Sequence, residues 1–217
     1  MGLWIALGAA LSGQLALAAL RADRSDGQAV LPPAPSLHAL KLASFGEPEA
    51  LARVAMLYVQ GFGQPHYPRL MEWLAVILAL DPRSAYPLFS AARVYAETPD
   101  AARSRMALDF VYREFLRDPD RRWPWLAHGA LLAKHRLKDL PLARRYAAAV
   151  QRHATAPDVP LWARHMEIFI LEDMNELEAA RIMLGGLLES GAVSDPAEAR
   201  FLAERLKAIE DRLGSSR

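Results

Sequence analysis

Not one cysteine occurs among the 217 residues. That absence excludes thiol nucleophiles, thiolate zinc sites and a disulfide framework together. An excess of one charge is missing too: 26 basic residues stand against 25 acidic ones, a formal net charge of +1. A balanced chain makes no global field to steer it to nucleic acid, so no nucleic-acid partner is expected. There is no glycine-rich phosphate loop, because Gly61-Phe62-Gly63 lacks a following Lys-Ser or Lys-Thr and follows no strand pattern. His128 and His135, seven apart, share a helix face, whereas His165 and Glu167, two apart, point to different faces and make a poor metal pair. With no catalytic constellation in view, the chain is expected to be no enzyme and to use no cofactor or metal.

What is present is a repeat. A proline-led phrase occurs four times, as Pro87-Leu88-Phe89, Pro124-Trp125-Leu126, Pro160-Leu161-Trp162 and Pro196-Ala197-Glu198, at spacings of 37, 36 and 36 residues. A fixed period of this size means one supersecondary unit copied and stacked, each copy burying an apolar face it could not bury alone. Other residues keep the register. Asp81-Pro82 returns as Asp118-Pro119, Tyr86-Pro87 as Trp123-Pro124, and Ala107, Ala143 and Ala179 fall 36 apart. Proline is tolerated in the first turn of a helix, so each phrase is expected to open the first helix of a hairpin. The alanines then fall on the second helix, where a small side chain allows close helix packing.

Apolar spacing gives helices throughout and no strands. Ala107, Leu108, Val111, Tyr112 and Phe115 make one face. Further stripes are Leu126, Ala130, Ala133 and Leu137, then Trp162, Met166, Phe169 and Ile170, then Leu177, Ala180, Leu184, Leu187 and Leu188. The spacing predicts helices near 48–61, 67–80, 84–97, 100–117, 123–136, 140–154, 159–173 and 176–190. A last helix, near 195–213, places Leu202, Leu206, Ile209 and Leu213 on one face and reads as a capping helix.

In this pattern the chain resembles the tetratricopeptide repeat, whose consensus begins W-x2-L-G-x2-Y. Trp125-x2-His128-Gly129-x2-Leu132 matches best, with counterparts in Leu88-x2-Ala91-Ala92-x2-Tyr95 and Leu161-x2-Arg164-His165-x2-Ile168. The likeness covers roughly residues 84–192, with a looser copy before it. It departs in its period and in placing His128 and Arg164 at a usually apolar site. The whole chain is also similar to membrane-anchored proteobacterial proteins of this type. The resemblance implies an all-α superhelix of about four hairpins plus a C-terminal capping helix, with a concave face lined by the first helix of each hairpin. Residues off the apolar stripes then become candidates for partner binding: Arg93, Glu97, His128, Lys134, His135, His165 and Glu172, with Ser90 and Arg164 beside them. Such a mixed set suits an extended peptide or a partner's helix. Arg121 and Arg122, beside Trp123 and Trp125, form the one local cluster suited to an anionic partner. The plainer reading makes the arginines a solvated turn and the tryptophans packing.

The N-terminus is a different material. Residues 3–20 carry no charge, and 18 residues in a helix span roughly 27 Å, close to the ~30 Å hydrocarbon core of a bilayer. An uncleaved anchor, a cleaved signal peptide ending in the small-x-small triplet Ala16-Leu17-Ala18, and a buried helix of the repeat domain all fit. Arg21 and Arg24 follow the segment, which taken alone places the repeats in the cytoplasm. The Pro-rich stretch Ala29 to Pro35 reads as a stiff spacer of exported proteins and favours the periplasm. The expected organisation is a membrane or signal segment at 1–22, a Pro-rich linker with a short lead-in helix at 23–46, and a repeat domain at 47–217. The expected function is a non-catalytic protein-interaction scaffold on the bacterial inner membrane. The alternative is a soluble periplasmic or secreted module binding a peptide or cell-wall ligand.

Overall fold

The computed structural model describes residues 31–62 and 66–215; the apolar segment at 3–20 and Gly63 lie outside them. Among the described residues the protein is all-α, with eleven α-helices, one π-helical turn and no strand. None of these helices is long and apolar enough to cross a membrane. Contacts divide the chain into two units, one ending at Pro82 and one beginning at Arg83.

The first unit holds α1 (Leu37–Ala43), α2 (Pro48–Gln60) and α3 (Tyr67–Leu80). Ser36 caps α1 by accepting from the Ala39 N–H at 3.2 Å, satisfying a donor that the first turn leaves open. Phe45 and Gly46, at φ 50° and 90°, turn the chain before Pro48 opens α2. Ala52, Met56 and Val59 of α2 and Leu70, Leu74 and Ile77 of α3 are buried. From Leu31 onward the Pro-rich stretch is not a free spacer. Leu31 is fully buried, its carbonyl accepts from Arg69 Nη1 at 3.2 Å, and the Trp73 indole donates to the Pro32 carbonyl at 2.8 Å. The segment has no ladder of its own, so α3 supplies its hydrogen bonds.

The second unit is built of hairpins. In the first, α4 (Tyr86–Ser90) runs into a π turn (Ala91–Tyr95) and pairs with α5 (Ala101–Phe115). The second pairs α6 (Pro119–His135) with α7 (Leu140–His153). The third pairs α8 (Leu161–Arg164) and α9 (Met166–Asp173) with α10 (Leu177–Glu189). Helix α11 (Pro196–Ser215) follows, and its Leu202 and Ile209 join a core with Ile168, Leu171, Leu184 and Leu187.

Two expectations about prolines and helices need correction. Pro87 and Pro196 sit in the first turns of α4 and α11, and Pro160 directly precedes α8, but Pro124 lies inside α6. The reason is Pro119, which takes the opening position a turn earlier, leaving Pro124 without an N–H for the Asp120 carbonyl. The single helix expected at 159–173 is broken at His165, whose φ of −108° and ψ of 12° leave the helical region.

The apolar stripes are met with small shifts. Leu126, Ala130, Ala133, Ala180 and Leu184 are fully buried, whereas Ala179 is half-buried and Trp162 exposed. In the first hairpin the π turn changes the register: Ala96 N–H bonds the Ala91 carbonyl five residues back, at 2.9 Å. Before the turn, buried Leu88 corresponds to buried Leu126, 38 residues on; after it, buried Ala96 corresponds to Ala133, 37 on. One residue has been absorbed.

Side chains about one sequence period apart touch throughout this unit. Phe89 meets Trp125 edge-on, Tyr112 stacks on Tyr146, and Arg105 bonds Asp139 at 2.5 Å. Lys138 and Asn175, 37 residues apart, turn the second and third hairpins at φ 54° and 61°. Gly129 marks a close approach of neighbouring helices. A Cβ there would lie 3.2 Å from Leu108 Cδ2 and 3.8 Å from Tyr146 Cδ2, so α6 is held tightly between α5 and α7.

Candidate interaction surface

Three of the residues singled out for partner binding come together. His128 of α6 faces Arg93 through Nδ1, at 3.2 Å from Nη1, and Glu97 through Nε2, at 3.1 Å from Oε1. Arg93 and Glu97 are themselves 3.8 Å apart. Burial lowers the His128 pKa, the Arg93 charge lowers it further, and Glu97 opposes both. The neutral ring with its proton on Nε2 satisfies both neighbours, accepting from Arg93 and donating to Glu97.

The remaining candidates are spread over the unit. Lys134 pairs with Asp173 of α9, while Glu172 accepts from Arg205 Nε at 2.7 Å and lies 3.4 Å from Arg212 Nη1, both on α11. His135 is exposed at the end of α6. His165 is half-buried at the α8–α9 break, its pKa lowered by burial and then by Arg164. Ser90 is buried. Arg93, Lys134 and Glu172 therefore each link one helical segment to another within the unit, and Glu97, in the turn before α5, joins that turn to α6.

The arginine pair separates. Arg121 is exposed and donates from Nε to Asp118 at 2.6 Å. Arg122 corrects the solvated-turn reading: it is buried in the first turn of α6 and donates from Nη1 to the Glu114 carbonyl at 2.7 Å and carboxylate at 3.2 Å. Burial lowers its guanidinium pKa, and Glu114 works the other way. Two residues earlier, Asp120 Oδ1 accepts from the Thr155 and Ala156 N–H groups at 2.7 and 2.9 Å, which fixes the loop leading to α8.

Sequence reasoning passed over the exposed aromatics. Tyr86, Phe89 and Trp162 keep 52%, 39% and 52% of their surface open. They join the half-buried tryptophans of α6. Tyr86 stacks on Phe89 with centroids 6.1 Å apart, and Phe89 meets Trp125 edge-on at 5.8 Å. Trp123 meets Trp162 edge-on at 5.6 Å. Residues two apart on a helix face different ways, so α6 carries one aromatic cluster toward α4 and another toward α8. Trp162 had been placed in an apolar stripe with Met166, and the break at His165 puts it out of phase.

Among the described residues, no group of three or more His, Asp or Glu side chains is placed to hold a metal ion. No protein-family model, no curated protein and no solved structure matches the chain. Its functional reading therefore rests on the fold and on this aromatic surface.

Proposed function

We propose that the protein is a non-catalytic interaction scaffold whose hairpins stack as a tetratricopeptide-like superhelix. It is tethered to the bacterial inner membrane through residues 3–20, with the hairpins in the periplasm, and it recruits or assembles envelope proteins. The exposed aromatic set on the first helices supports this most directly. Large rings left in solvent and already ordered by their neighbours are the groups that anchor protein partners, since they add much apolar contact for little lost freedom. The contacts between residues about one period apart favour a stacked arrangement over an unrelated bundle.

A second reading, a soluble periplasmic or secreted module for a peptide or cell-wall ligand, is favoured by Ala16-Leu17-Ala18. Mass spectrometry of the mature N-terminus separates the two, because retention of residues 3–20 supports the tether and cleavage after Ala18 supports the soluble module. The scaffold itself is tested by photocrosslinking in native membranes from position 162, with exposed Lys207 of α11 as the control site. A defined protein adduct from 162 and none from 207 supports it. No adduct from either site, or the same adducts from both, removes it.

A further inference from the structure

A groove of about 430 Å³ opens over the second helices, lined by Tyr112 of α5, Arg144, Arg145 and Arg152 of α7, and Glu167 of α9. None of its residues belongs to the aromatic set. We propose that this groove binds an acidic peptide segment of a partner protein, whose carboxylates are taken by the three arginines. The lining is richer in positive charge: it holds three guanidinium groups and one carboxylate, Glu167, with Asp109 beside Arg145 outside it.

Each arginine has donors to spare. Glu167 takes only the Nε–H of Arg144, at 3.0 Å, out of the five N–H donors of a guanidinium. Arg145 lies over the Tyr112 ring at 4.7 Å and near the Tyr146 ring at 5.4 Å, with Asp109 at 3.5 Å and Asp139 as acidic neighbours. Held on two rings, it loses little further freedom when it binds. Arg152 is exposed and has no acidic partner among the described residues. A guanidinium fork matches a carboxylate with two parallel hydrogen bonds, which is the chemistry that selects Asp and Glu side chains.

Spacing narrows the ligand. Arg145 and Arg152 are seven residues apart on α7, two turns along one face and about 10 Å in axial rise. In a polyproline II segment, residues three apart share a face and lie about 9 Å apart. Acidic residues at that interval would meet both arginines. Nucleic acid fits less well, because Arg145 already covers the tyrosine face that a base would stack on.

The test uses the full chain in detergent at low salt and a fluorescein-labelled peptide of repeated Glu-Pro-Pro units, read by anisotropy. Its controls are the matching Lys-Pro-Pro peptide and a thymidine oligomer of equal charge. Saturable binding of the glutamate peptide alone is expected. Arg152→Glu should weaken it at least about ten-fold, equivalent to about 1.4 kcal/mol, and Arg152→Ala by less, both with unchanged circular dichroism. No saturable binding, binding indifferent to both variants, or tighter binding of the oligomer would overturn the proposal. The crosslink from position 162 reads the aromatic surface and this titration reads the groove, so either can fail while the other stands.

Discussion

Arg122 and Glu114 meet in the interior of the second unit, joined by donation from Arg122 Nη1 to both the backbone carbonyl and the carboxylate of Glu114. Arg117 also reaches that carboxylate from the solvent side, at 2.6 Å. Removing one partner of a buried pair strands the other, at a cost of about 3 kcal/mol or more. Arg122→Ala should lower the thermal midpoint by on the order of 10 °C, since Arg117 compensates only in part. The double variant Arg122→Met with Glu114→Leu should regain most of that loss, because no charge is left buried. A double variant no more stable than the single one would show that the pair does more than satisfy itself.

At Gly129 the question is space. Leu108 Cδ2, at 3.2 Å from a Cβ placed there, is the end of a flexible side chain that can give way. Gly129→Ala gains up to about 1 kcal/mol in helix propensity against that small displacement and should stay within about 1 kcal/mol of the parent. Gly129→Val adds two methyl groups between Leu108 and Tyr146 and should cost about 2 kcal/mol. Urea unfolding of the two variants measures both.

Acidification should weaken the fold through two histidines. Burial leads in lowering the pKa of both His128 and His165, so their folded values lie below the unfolded one. As pH falls through about 6.5, the unfolded chain takes up protons that the folded one refuses, and stability is lost; above about 6.5 it is fully present. Urea midpoints at about pH 8 and about pH 5.5 should differ in that direction. His128→Asn should shrink the difference, and an equal difference in the variant would remove His128 from the account.

Asp120 holds the α7–α8 loop through two backbone donors. Asp120→Ala should speed hydrogen exchange at the Thr155 and Ala156 amides while leaving those of α7 protected. The stability loss should be about 1–2 kcal/mol, as for other charge-assisted hydrogen bonds. Unchanged exchange at both amides would mean that the loop is fixed by something else.

Charge reversal at Arg93, Lys134 or Glu172 is a poor probe of partner binding, because each links two helices and reversal there should also loosen the fold. Trp162→Ala is the cleaner choice: about half exposed, it should reduce partner capture with little change in urea midpoint. Capture that survives the variant unchanged would remove Trp162 from the interface.

Much of the fold was legible. The second helices expected at 100–117, 140–154 and 176–190 form within two residues of those limits, as Ala101–Phe115, Leu140–His153 and Leu177–Glu189. Proline enters none of them beyond the first turn, and Asp100 and Asp139 cap two of them with side-chain hydrogen bonds. The first helices were read less well. Pro119 opens α6 a turn before the expected limit, while the π turn after Ser90 and the break at His165 change which residue faces the core, because one residue turns a helix by about 100°.

The sequence by itself determined the all-α class, the repeat period and the positions of most apolar stripes, because these depend on residues three or four apart on the same helix. Tertiary structure decided which polar and aromatic groups are engaged and which face solvent. Arg93 with His128, Arg205 with Glu172 and Trp123 with Trp162 are pairs separated by 33 to 39 residues. Nothing in the local pattern tells a charge clasped by the next hairpin from one left for a partner, since that depends on how neighbouring helices are rotated against each other.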